Sequence, residues 1–153
     1  DLDKAMVEGS DNNIQWIRES YQAAGEPQLR QCSASDVASV WEGTFDGFAF
    51  DPPYGRNSWE SDDGWQLFRD SLHQCDELAS EEARLVTLLP WSPDANGLDL
   101  FDEDVHDPTA ITFGKPWSEV LDALECAGWT LDAYVYVPVH GSLSRLLITC
   151  TAA

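Results

Sequence analysis

The sequence predicts an α/β fold, a sheet alternating with helices and closing on an antiparallel hairpin. Three observations carry that prediction. Apolar residues recur at helical intervals in two stretches and a third is bracketed by Pro and Gly, continuous apolar runs of strand length lie between them, and two strand-like runs at the end have only a short link. Residues 4–24 come first: Met6, Ile14, Ile17 and Tyr21 fall at near-helical spacing, and Gly25 with Pro27 supplies a stop, so a helix is expected. Leu29–Ala34 is short strand sequence, and Asp36–Trp41 reads as a helical turn or loop. Asp46–Phe50 is a compact apolar run ending at Asp51-Pro52-Pro53-Tyr54-Gly55, where two prolines forbid both helix and further strand pairing. A buried strand stopping at a rigid turn is expected. Residues 64–78 place Trp65, Leu67, Phe68, Leu72, Cys75 and Leu78 on a helical face, and Ala83–Leu89 is continuous strand sequence. Residues 91–116, rich in Asp, Pro and Gly, read as a loop that serves as a functional cover or an insertion. A helix from Pro116 to Ala127 follows, with Pro at its start and Gly128 after its end. Leu131–Val139 and Leu143–Cys150 are then expected to pair antiparallel.

Composition bounds the function. The 153 residues are 43% hydrophobic, which suits one globular domain, or most of one, and excludes a disordered acidic tail. Neither an apolar stretch of spanning length nor a signal peptide is visible, so a membrane span is excluded and a cytoplasmic location is expected. Cys32, Cys75, Cys126 and Cys150 are widely spaced, with no Cys-x-x-Cys pair and no metal-ligand spacing; they read as small buried apolar residues in a reducing compartment. The net charge is −20, and Lys4 and Lys115 are the only lysines. Such a chain repels itself at low salt, and at roughly 1 M salt the screening length falls to about 3 Å and removes most of the penalty. A halophilic setting is expected. The chain opens on Asp1-Leu2-Asp3, which reads as the end of a strand running into a helix, so it is expected to be cut or processed there.

The segment with chemistry in it is Phe50-Asp51-Pro52-Pro53-Tyr54-Gly55-Arg56. In an open α/β sheet, ligands bind beyond the carboxyl ends of the strands, and this segment follows such an end. Its parts suit methylation of an exocyclic amine, whose lone pair is conjugated into the ring and needs its N–H bonds accepted and aimed. Asp51 supplies a carboxylate acceptor, and a carbonyl of the Pro52-Pro53 pair, owed to no helix or ladder, supplies a second. Tyr54 offers a flat face for a flipped-out base, and Arg56 suits a phosphate or an acidic neighbour.

Asp51-Pro52-Pro53-Tyr54 resembles the signature of the amino-group class of S-adenosylmethionine-dependent methyltransferases. The longer Asp51–Arg56 string, with Val139-His140-Gly141-Ser142-Leu143-Ser144-Arg145, looks like the archaeal tRNA guanine-10 N2-methyltransferases and their eukaryotic relatives, and Asp1–Gly9 is similar to their acidic loop and following helix. The resemblance runs over the whole chain but only the second half or so of that catalytic domain. It implies a Rossmann-like class I methyltransferase sheet with a C-terminal antiparallel hairpin, lacking its first strand and Gly-rich loop, and with the N-terminal RNA-binding (THUMP-like) region outside the chain. By that likeness the cofactor is S-adenosylmethionine: Asp1 holds its ribose hydroxyls, and Ser33, Ala34 and Asp51 border the rest. Asp51, Pro52, Pro53 and Tyr54 are catalytic, and Tyr54, Gly55 and Arg56 meet the substrate, a tRNA gripped mostly by the missing region. Ser33 stands where the family usually carries Asp; a neutral hydroxyl is the weaker acceptor, and Asp36 lies near enough to substitute. The resemblance further implies that the isolated chain is unstable, because the absent strand belongs in the middle of its sheet.

The residues themselves imply only an aromatic amine. Adenine N6 in DNA, guanine N2 in ribosomal RNA, and a non-catalytic methyltransferase-like module remain alternatives. No metal site is expected. His140 and Arg145 read as structural, Trp59 and Trp91 as candidates for a base pocket, and the acidic runs 60–63 and 99–104 as solvated faces.

Overall fold

The computed structural model describes residues 1–21, 26–52, 64–92, 97–101, 112–140 and 143–153. Its first helix, α1 (Lys4–Tyr21), follows the predicted periodicity and starts where Asp3 Oδ1 accepts the Ala5 amide at 2.8 Å, an N-cap contact. None of its residues is buried, and Met6, Trp16 and Tyr21 stand exposed. A 3₁₀ helix, Ala34–Ser39, lies where a helical turn was expected. The remaining elements are β1 (Phe45–Phe50), α2 (Gly64–Glu77), β2 (Ala79–Trp91), α3 (Trp117–Cys126), β3 (Trp129–His140) and β4 (Leu143–Ala152). Pro116 occupies the N-cap of α3 without a side-chain cap, one position earlier than expected, and Gly128, at φ 72°, takes the left-handed conformation that ends this helix.

The four strands run in the order β1-β2-β4-β3. β1 and β2 are parallel, whereas β4 is antiparallel to both β2 and β3, so the expected final hairpin is present. β2 begins four residues before the predicted strand. Those extra residues form an irregularity: the register passes from Phe45↔Ala79 to Gly47↔Arg84, and Glu82 absorbs the bend at φ 62°.

The period-2 alternation of a strand sorts the sheet into two faces. Ala83, Leu85, Thr87, Leu89 and Trp91 of β2, with Ser144, Leu146, Ile148 and Cys150 of β4, are buried on one face. Phe68 and Leu72 of α2 and Trp117, Val120 and Leu124 of α3 complete this core. Each such aliphatic or aromatic side chain contributes about 1.5–3 kcal/mol by leaving water. Within this core Trp129 donates its indole N–H to the carbonyl of Leu72 at 3.1 Å, whereas the indole N–H groups of Trp91 and Trp117 have no partner among the described residues.

Three expectations are corrected. β1 is not a buried strand: it lies at the edge of the sheet, Phe45 is exposed, and only Phe48 and Phe50 are partly buried against the core. Leu29–Ala34 forms no strand: among the described residues its non-local backbone bonds go to Asp1, whose carbonyl accepts from the Cys32 amide at 3.0 Å and whose amino group donates to the Arg30 carbonyl. Of the cysteines, Cys150 is buried as expected, but Cys126 is exposed. Among the described residues, no helix is long and apolar enough to cross a membrane.

Candidate active site

β1 ends where the sequence forbids its continuation, since Pro52 has no N–H to give to a ladder. Asp51 therefore sits just beyond the carboxyl end of β1, beside the parallel strand β2, while Pro52 is buried. Phe50 pairs with Thr87, which faces the core, so the next residue, Asp51, falls on the opposite face. Arg145 lies on that same face, because its neighbours Ser144 and Leu146 are the buried ones. The outcome is an ion pair that crosses β2: Arg145 Nη1 donates to Asp51 Oδ2 at 3.0 Å, with the side chains 31% and 45% exposed. Asp51 Oδ1 has no hydrogen-bond partner among the described residues.

An open cleft of about 370 Å³ runs between the 3₁₀ helix, β1 and α2. Asp51 and Pro52 line one end, and Ala34, Val37, Phe48, Phe50 and Leu67 form apolar walls. The structure thus brings together Asp51, Pro52 and Ala34 from the sequence-derived candidates. Ser33 stands next to this cleft as the N-cap of the 3₁₀ helix; its Oγ accepts from the Ser35 amide and lies 2.8 Å from Ser35 Oγ. Asp1 is exposed and tied through its backbone to Cys32, which adjoins Ser33, and its Oδ1 accepts from the Asp3 amide at 2.8 Å. Pro53, Tyr54, Gly55 and Arg56 lie outside the described residues, as does Trp59.

One sequence reading changes. Trp91 does not line a base pocket: it is 3% exposed and packs edge-on against Trp117 and beside Tyr136. Asp99 is exposed, as a solvated face requires, and its Oδ1 also accepts from the Phe101 amide and the Tyr134 hydroxyl. What sequence reasoning missed is the partner of Asp51. Arg145 lies 94 positions away, and no local spacing links the two. The only signal was that Arg145 closes the second family-like stretch.

Comparison with solved structures gives the architecture its context. Magnesium protoporphyrin IX methyltransferase from Synechocystis, crystallised with bound SAM, superposes with a TM-score of 0.59 at 11% identity over 100% of this chain. A SAM-dependent methyltransferase from Methanosarcina mazei superposes at 0.67, with 10% identity over 99% of the chain. A candidate rRNA methylase from Clostridium thermocellum superposes at 0.62, with 9% identity over the whole chain.

The chain has the Rossmann-like methyltransferase fold. It spans 57% of the Synechocystis methyltransferase, 79% of the Methanosarcina one and 73% of the Clostridium one. No protein-family model matches the sequence, and no curated protein matches it. Within this methyltransferase fold, Asp51 occupies the strand-end position at which open α/β sheets bind ligands.

Proposed function

We propose that the chain is part of an S-adenosylmethionine-dependent methyltransferase that modifies the N2 amine of a guanosine in tRNA, the one at position ten. The observation that supports this most is the placement of Asp51 and buried Pro52 at the carboxyl end of β1, at the mouth of a cleft, in a fold shared with solved methyltransferases. The substrate comes from the resemblance of Asp51–Arg56 and Val139–Arg145 to the tRNA guanine-10 family.

The residues present fit the cofactor. Asp1, whose Oδ2 accepts no hydrogen bond among the described residues and so suits a ribose diol, adjoins the 28–33 segment, and the apolar cleft beyond Ser33 and Ala34 suits a purine face. When bound, the cofactor supplies an electrophilic methyl group on sulfur. The remaining work falls to the chain. Asp51 Oδ1 and the Pro52 carbonyl accept the two amine hydrogens and aim the nitrogen lone pair along the line of attack. Tyr54 stacks on the base and Arg56 meets the backbone. Fixing the reactants in line lowers the barrier most, with proton loss to Asp51 or water following. A net charge of −20 repels a polyphosphate, which agrees with the implication of the resemblance that the RNA is gripped mostly outside this chain.

The test uses cofactor labelled in the methyl group and mapping of the modified nucleotide in tRNA, ribosomal RNA and DNA. Label on guanine N2 at position ten is expected; label on adenine N6 or on ribosomal RNA would replace the substrate but keep the chemistry. Asp51→Ala is expected to lower kcat by at least about a hundredfold. A near-wild-type rate in that variant, or no cofactor uptake by calorimetry, would overturn the proposal, the latter in favour of a non-catalytic module.

A further inference from the structure

We infer that Arg145 is a positioning residue for the reaction at Asp51. The inference deepens the function proposed above and rests on it. Three observations combine. Arg145 Nη1 holds Asp51 Oδ2 at 3.0 Å, and the second carboxylate oxygen carries no hydrogen bond among the described residues. The two residues sit on strands separated by β2, so the bridge spans roughly 10 Å between backbones, twice the spacing of neighbouring strands. Only a long side chain reaches that far. The register of β4 places Arg145 opposite Pro90 and Val137, in a sheet stretch paired on both sides, so its base cannot drift.

Asp51, by contrast, follows the last residue of β1, which is the edge strand among those described. An unpinned carboxylate there rotates about χ1 and χ2 and presents its oxygens to water in many directions. Arg145 removes that freedom by tying one oxygen to a strand in the sheet interior, which leaves the other directed for the amine. A planar guanidinium restricts the carboxylate more than an ammonium does, since its donors lie in a fixed fork. Arg145 touches neither substrate nor cofactor in this role; it acts through Asp51.

Steady-state methylation by Arg145→Met, Arg145→Ala and Arg145→Lys tests this in the intact protein. Arg145→Met is expected to lower kcat by up to about a hundredfold, with KM for cofactor and RNA within about threefold and cofactor binding by calorimetry kept. Arg145→Lys is expected to recover part of the rate, and free guanidinium ion to rescue Arg145→Ala. In an Asp51→Asn background, Arg145→Met is expected to cost little more, because the residue it serves is already altered. A wild-type kcat in Arg145→Met overturns the inference. So does a loss that guanidinium does not rescue and that multiplies fully with Asp51→Asn. If the wild-type protein transfers no methyl group to any amine, the proposed function falls as well; if it does, only the role of Arg145 is at stake.

Discussion

Burial sets the chemistry of individual side chains, Cys75 on the wall of the cleft among them. It pushes the thiols of Cys75 and Cys150 up to about 12, with Asp132 adding to the effect at Cys150. The Tyr136 hydroxyl rises from its ordinary 10 to about 12 for the same reason, helped by Tyr134 and Asp99, and it donates to the Leu98 carbonyl at 2.5 Å. The sign follows directly. The folded state keeps protons that the unfolded chain would release from about pH 9 upward, so these groups stabilise the fold below that pH and the contribution is lost as pH climbs toward 12. Alkaline titration followed by circular dichroism is expected to show unfolding within that window. At pH 8 a maleimide is expected to modify exposed Cys126 first and Cys150 only in denaturant, as read by mass spectrometry. The same contrast shows what sequence reveals of single residues. Asp51 and Pro52 were legible because proline chemistry marks the end of a strand wherever it occurs. Arg145 as the partner of Asp51 was not, since that contact exists only once β2 and β4 are aligned.

At the level of elements, periodicity located α1 and α2, the flanking Pro116 and Gly128 located α3, and a short link located the closing hairpin; local pattern failed where an element depends on its neighbours. Asp46–Phe50 has the apolar character of an inner strand, and it forms the edge of the sheet among the described strands. Leu29–Ala34 has strand composition, but among the described residues its backbone pairs across the chain with Asp1 alone. The α3–β3 junction shows a case in which local chemistry and tertiary packing agree. Gly128 at φ 72° ends α3, and a Cβ there would stand 2.6 Å from Asp76 Oδ1. Gly128→Ala is expected to destabilise by about 1–2 kcal/mol from the left-handed backbone alone, with a further cost from Asp76. Adding Asp76→Ala should recover the second part and not the first, as read from denaturant midpoints.

Over the whole molecule, charge dominates. With 28 acidic and 8 basic residues, self-repulsion opposes compaction, and the four ion pairs found among the described residues are largely exposed and so offset little of it. Raising KCl from 0.1 M to 2 M is expected to raise the thermal midpoint by several degrees; a midpoint that falls or stays flat would remove the salt adaptation inferred from composition.

The strand order carries one more consequence, for synthesis. β4, the last of the described strands in chain order, is inserted between β2 and β3, and it supplies Leu146, Ile148 and Cys150 to the interior. Until residues 143–152 have left the ribosome, β3 has nothing to join it to the β1–β2 pair. Nascent chains stalled short of that point should remain protease-sensitive, and resistance should arise in one late step.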